Sequence, residues 1–128
     1  MTKITLPIYY DQEFKTKPSK RFLVGMNWYR NAHYLLSNKV KDHYHDLVKE
    51  AIQDTKFEKV SLEYTVYVSR KNTDGHNIRS VIEKFFLDGL VSAGALPDDS
   101  IDYVVGDSSK YLLDKDNPRV EIIIKEIK

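Results

Sequence analysis

The nine residues from Val60 to Val68 constrain this chain more than any others. Val60, Leu62, Tyr64, Val66 and Val68 alternate with Ser61, Glu63, Thr65 and Tyr67, so an apolar side chain returns at every second position, the repeat of a strand with one buried face. β-branched and aromatic residues fill the run, which suits a pleated, half-buried surface. Such a face must be covered, and the next patterned segment can cover it. After the polar turn Arg70-Lys71-Asn72-Thr73-Asp74-Gly75, the residues Ile78, Val81, Ile82, Phe85, Phe86, Leu90 and Val91 recur at the spacing of an amphipathic helix. Gly94 stands where a left-handed C-terminal cap belongs. This strand and this helix are expected to pack face to face.

The rest of the chain is organised around that pair. Ile4-Thr5-Leu6-Pro7-Ile8 predicts a short first strand, with Pro7 at an edge or strand end. A loop is expected through Pro18, a second strand at Phe22-Leu23-Val24 and an irregular stretch from Gly25 to Asn31. With Ser37 as N-cap, the positions Val40, Tyr44, Leu47, Val48, Ala51 and Ile52 predict a first helix ending near Asp54. Past the Ala95-Leu96-Pro97-Asp98-Asp99 turn, Ile101 to Val105 reads as a short strand and Val120 to Lys125 as a buried one. The order predicts an α/β (α+β) fold, a mixed β-sheet with two main helices packed on one face. At 128 residues, 41% of them hydrophobic and 30% charged, the expectation is a single domain over residues 1–128.

Composition removes several functional classes. There is no cysteine, hence no disulfide framework, thiol nucleophile or zinc–thiolate centre. The opening Met-Thr-Lys-Ile-Thr-Leu-Pro has no long apolar run, and no stretch approaches the roughly 18 apolar residues of a membrane helix. A cytoplasmic protein without membrane partners is expected. The net charge is +1, yet its distribution is uneven. Between Phe14 and Lys41 stand Lys15, Lys17, Lys20, Arg21, Arg30, Lys39 and Lys41 with no carboxylate, whereas Asp98 to Asp116 is rich in aspartate. The basic segment also carries Trp28, Tyr29 and Tyr34, so it reads either as a phosphate-binding surface with stacking rings or as a solvated lysine-rich loop.

Residues able to carry chemistry cluster at the two ends of the second helix. Asp74, His76 and Asn77 open it, and Asp98 and Asp99 follow it. Asp74 reads as a helix cap or as a ligand, and Asp98 and Asp99 as turn residues or as ligands. A continuous helix of about 18 residues is about 27 Å long. Its two ends share an ion only if the Pro97 turn folds back along the helix or a second subunit supplies one half. His43 and His45, two apart, diverge on a helix, and neither a glycine-rich phosphate loop nor a Ser-His-Asp set is present.

The order of these motifs resembles one family. Asp74-Gly75-His76-Asn77, then Lys84-Phe85-Phe86-Leu87-Asp88-Gly89-Leu90, then Ala93-Gly94-Ala95-Leu96-Pro97-Asp98-Asp99 resemble the RusA pattern of Asp-x-Asp-Asn, Lys-x-x-x-Asp-x-Leu and Gly-hydrophobic-x-x-Asp-Asp. Ile4-Thr5-Leu6-Pro7 and Asn27-x-Tyr29-Arg30 are similar to that family's opening, so the likeness spans most of the chain. A branch in phages of Gram-positive bacteria is similar in its Asp-x-x-Asn and Lys-Phe-Phe-x-Asp spacing. The resemblance implies a homodimeric, magnesium-dependent endonuclease, phage-encoded and acting in the host cytoplasm, that resolves four-way DNA junctions. It assigns Asp74, Asp98 and Asp99 to the metal (Mg2+, or Mn2+). With it, Asp74, Asp99, Lys84 and His76 are the expected catalytic residues, and Lys15, Lys17, Lys20, Arg21, Arg30, Arg70, Lys71 and Asn77 are expected to hold DNA. Two positions depart from it. His76 stands where the family has its second acid, and its lysine falls on Ser80 at family spacing or on Lys84 one helical turn later. His76 is a poorer magnesium ligand but suits manganese or general-base work, and Lys84 would stabilise charge on a phosphate. A catalytically weak protein of the same fold, binding nucleic acid or a phage or host protein, is the alternative.

Overall fold

The computed structural model describes residues 2–127. In chain order its elements are β1 (Thr2–Pro7), β2 (Tyr9–Gln12), β3 (Lys20–Leu23), α1 (Met26–Asn31), α2 (Tyr34–Ile52), β4 (Val60–Val68), α3 (Gly75–Ser92), β5 (Val104–Leu113) and β6 (Arg119–Glu126). β1, β6, β4 and β5 form a mixed four-stranded sheet in that order, and β2 and β3 form a separate antiparallel ribbon. The sheet is parallel only between β4 and β5, which α3 connects.

The alternation in β4 emerges as expected. Its odd-spaced apolar residues are all buried and the residues between them half-buried. Ile4 and Leu6 of β1 and Val120, Ile122 and Ile124 of β6 extend the same buried face. α2 and α3 cover it with Val40, Tyr44, Val48 and Ile52 and with Ile78, Val81, Ile82, Phe85, Phe86 and Leu90. The α2 and α3 axes run in the same direction, with the Tyr44 ring 5.5 Å from that of Phe85 and Val48 against Gly89. Both helices therefore begin at the end of the molecule where β4 finishes. Gly94, at φ 78°, closes α3 in the left-handed cap position.

Four local expectations are corrected. The segment Gly25–Asn31 is not irregular, because Met26–Asn31 forms a helix. α2 starts three residues before Ser37. His33 caps it through Nδ1, which accepts from the Leu35 amide, while the Ser37 hydroxyl turns back to the His33 and Tyr34 carbonyls. Tyr9–Gln12 pairs with Lys20–Leu23 where a loop was expected. The short strand expected at Ile101–Val105 instead starts at Val104 and continues to Leu113. Ile101 lies in the preceding turn, 86% exposed.

Candidate nucleic-acid interface

The parallel pair β4–β5 and its crossover helix fix where polar groups can gather, since in such units ligands favour the carboxyl ends of the strands. There α3 starts on Asp74. Its carboxylate accepts hydrogen bonds from the His76 and Asn77 amides at 3.1 and 3.4 Å and from Asn77 Nδ2 at 3.0 Å. The capping reading of Asp74 is thus realised, and the helix needs the residue whatever else it does. His76 leans toward β5, its Nδ1 3.0 Å from the Tyr111 hydroxyl and its ring 4.5 Å from the Tyr111 ring. Gly75 makes that approach possible, because a Cβ there would lie 2.3 Å from Tyr111 Cδ1.

Beside Asp74 an open cleft of about 520 Å³ is walled by Asn27 and Trp28 of α1, Arg70 and Asn72 of the turn, and Asn77 of α3. Residues more than 40 positions apart in sequence meet in it, including members of both the Asn27-x-Tyr29-Arg30 and the Asp74-Gly75-His76-Asn77 motifs. Among the described residues Asp74 is the one carboxylate lining it. Lys71, Thr73 and Tyr111 line a neighbouring hollow of about 240 Å³.

The basic segment lies at the same end. Tyr9 of the ribbon reaches Ser69, next to Arg70, with its hydroxyl 3.4 Å from the serine Oγ. Gln12 of the ribbon shares a hollow with His33 and Lys39 at the start of α2. Lys15, Lys17, Lys20, Arg21, Arg30, Arg70 and Lys71 are all exposed. The N-termini of α2 and α3 add their partial positive charge to this end. Arg21 is the exception in availability, since its Nε bonds Asp11 Oδ1 at 3.0 Å.

Asp98 and Asp99 sit elsewhere. The Pro97 turn does not fold back along α3. The Phe57 amide bonds the Ala95 carbonyl and the Val60 amide the Tyr103 carbonyl, each at 2.8 Å, which fixes the turn beside the first residue of β4. Within one chain the two aspartates are therefore separated from Asp74 by the length of α3, about 27 Å. Lys84 is exposed on α3, about 15 Å along the axis from Asp74, and is absent from the cleft wall. Among the described residues no three acidic or histidine side chains converge as a metal site.

Neither a protein-family model nor a curated protein matches this chain. The chemistry must be read from the interface itself, which has guanidinium, amide and lysine donors around a single capping carboxylate. Such a set favours anions, and an extended one more than a small one, because the donors are spread over the cleft and the ribbon. Beneath it, Arg79 of α3 ion-pairs with Glu83 and, at 3.2 Å, with Asp107 of β5, and it lies over the buried Tyr64 ring. Burial raises the Tyr64 hydroxyl pKa far above its ordinary value. Burial raises that of Glu83 too, against the pull of Arg79. This network clamps α3 to β5 and so holds His76 against Tyr111. Tyr111 escapes sequence reading because it belongs to the unrecognised part of β5; the preceding Asp-Ser-Ser-Lys has no apolar alternation to mark a strand. Among the described residues no helix is long and apolar enough to cross a membrane.

Proposed function

We propose that this protein is a RusA-like phage protein that binds branched DNA at the end of the molecule where β4 and β5 finish. The observation that carries the reading is the cleft that unites Asn27, Arg70, Asp74 and Asn77, with the basic ribbon beside it. Arg70 and Lys71 would pair phosphates, Asn77 and Asn27 would donate to or accept from the sugar–phosphate strand, and Trp28 offers a ring at the cleft wall. Phosphodiester hydrolysis is proposed as the reaction of two copies. Asp74 of one and Asp98 and Asp99 of the other would hold Mg2+ or Mn2+, which when bound neutralises charge on the phosphate and activates water. His76 and Lys84 would serve proton transfer and phosphate stabilisation there.

A second reading has its own support. The Asp74 carboxylate already accepts three hydrogen bonds as a cap, which favours a protein that binds junctions and cuts them weakly or not at all. One experiment separates the two: the purified protein is mixed with a synthetic four-way junction, with and without Mg2+ or Mn2+, and binding and strand cleavage are scored on the same samples. Binding with metal-dependent cleavage supports the nuclease, and binding alone supports the second reading. If native protein binds but does not cut while His76→Asp cuts with magnesium, the chain is an impaired nuclease. No binding to junction or duplex at low salt rejects both readings.

A further inference from the structure

The β2–β3 ribbon stands outside the main sheet. Its base is held firmly: the Val24 amide bonds the Ile8 carbonyl at 2.8 Å, and one aromatic face runs from Tyr10 through Phe22 to Trp28 with centroids 5.6 and 5.0 Å apart. The Tyr10 ring also meets His43 of α2 at 5.4 Å. The tip has the opposite character. Lys15 to Arg21 are seven consecutive exposed residues, and among the described residues none of Lys15, Lys17 and Lys20 has an ion-pair partner. Lys17 lies 4.5 Å over the Phe14 ring. A rigid two-stranded base with an unpaired cationic tip is shaped to enter something negative.

We infer that this ribbon enters the major groove of a duplex arm of B-form DNA, while the cleft holds the strand beside the branch; the inference rests on the DNA-binding reading above. The tip, residues 13–19, is carried between two strand ends about 5 Å apart, narrow enough with its side chains for a groove about 12 Å wide that admits a β-ribbon. Lys15, Lys17 and Lys20 would then reach the phosphates on the two groove walls, and Arg21, occupied by Asp11, would add little. The deep, narrow major groove of A-form RNA excludes such a ribbon, so the ribbon is a device for telling DNA duplex from RNA duplex.

The test uses the full chain and a four-way junction with long duplex arms. Dimethyl sulfate, which methylates guanine N7 in the major groove, should show protection on one arm, and the triple variant Lys15→Gln, Lys17→Gln, Lys20→Gln should lose it. The substitutions are at exposed positions and leave the aromatic base intact. The slope of log affinity against log salt should become shallower by about 3 in that variant, close to one unit for each lost phosphate contact, whereas Arg21→Gln should change it by less than any single lysine. Native protein should prefer the DNA arm over an RNA duplex of the same sequence, and the triple variant should prefer it less. A native protein that binds the junction with N7 unprotected, or a triple variant with unchanged affinity and slope, overturns the ribbon inference and leaves DNA binding standing. A native protein that binds no DNA rejects the underlying reading instead.

Discussion

Gly75 shows how a single residue sets the geometry of the interface. Alanine in the first turn of a helix is normally better than glycine, by up to about 1 kcal/mol. Here the sign should reverse, because the added methyl would lie 2.3 Å from Tyr111 Cδ1 and 2.9 Å from Cε1. Gly75→Ala should lower the urea midpoint and displace Tyr111 from His76, and in a Tyr111→Ala background the same substitution should become neutral or stabilising. Equal effects in both backgrounds would show that the ring is not what the glycine accommodates. Arg119 makes a second prediction at this scale. It bonds Asp114 and Glu121, each at 2.8 Å, and stacks 3.8 Å from the Tyr67 ring. The hydrogen bond from Arg119 holds the Asp114 carboxyl below its ordinary range. Glu121 is raised by burial but lowered more by its bonds to Arg119 and Lys3, and ends below its range. Depressed carboxyl pKa values contribute stability above the unfolded value, near pH 4, that is lost as pH falls through the folded value. Arg119→Gln should therefore be less stable than the native chain at pH 7, and the gap should narrow as the pH drops below about 4. Denaturation curves at pH 7 and pH 3 that differ by the same amount would reject this.

At the scale of elements, what the sequence discloses depends on how completely one face is buried. β4 alternates without exception and α3 keeps its apolar stripe through Phe86 and Leu90, so both are readable from period alone, and the buried Phe85 shows how α3 also packs on the other helices. It is 1% exposed, with ring contacts to Tyr44, Tyr29 and Trp28. Phe85→Ala should cost about 3–5 kcal/mol by thermal or urea denaturation, and an unchanged midpoint would mean that α3 does not pack against α1 and α2 through this ring. β5 is the counter-example. Its neighbour β4 pairs it on one side only, and the first half of the face it turns to α3 is polar: Leu62 sits opposite Asp107 and Tyr64 opposite Ser109. Such a strand is held by backbone pairing and the Arg79–Asp107 contact, neither of which leaves a period-two trace. α1 is hidden for a related reason, since its six residues bury none of their side chains fully and carry no stripe. In the site, Asp74 and Asn77 are visible in sequence because capping needs those residue types at that spacing. Tyr111 and the meeting of Asn27 with Asp74 depend on tertiary pairing, which local pattern does not encode.

Across the whole molecule, the near-neutral net charge conceals a polarity along the strands. Lysines and arginines of the ribbon, α1 and the Arg70 turn lie where β4 ends. Asp98, Asp99 and Asp102 lie where it begins, near Glu58 and Glu126, which share a hollow there with one lysine, Lys56. Two copies related by a two-fold axis perpendicular to α3 would set the basic end of each against the acidic end of the other, and would bring Asp74 of one copy toward Asp99 of its partner. This arrangement makes a prediction that a site confined to one chain does not. If the native protein cuts junctions, Asp74→Asn and Asp99→Asn should each abolish cleavage while leaving junction binding intact or stronger, since each removes a carboxylate that both ligates metal and repels phosphate. Mixing the two inactive variants under conditions that allow subunits to exchange should then restore activity. Half of randomly paired dimers would contain one of each, with one of their two sites intact, so activity should recover to about a quarter of the native level. A mixture that stays inactive, although exchange is verified with a tagged copy, would place the whole site within one chain or deny Asp99 a role in it.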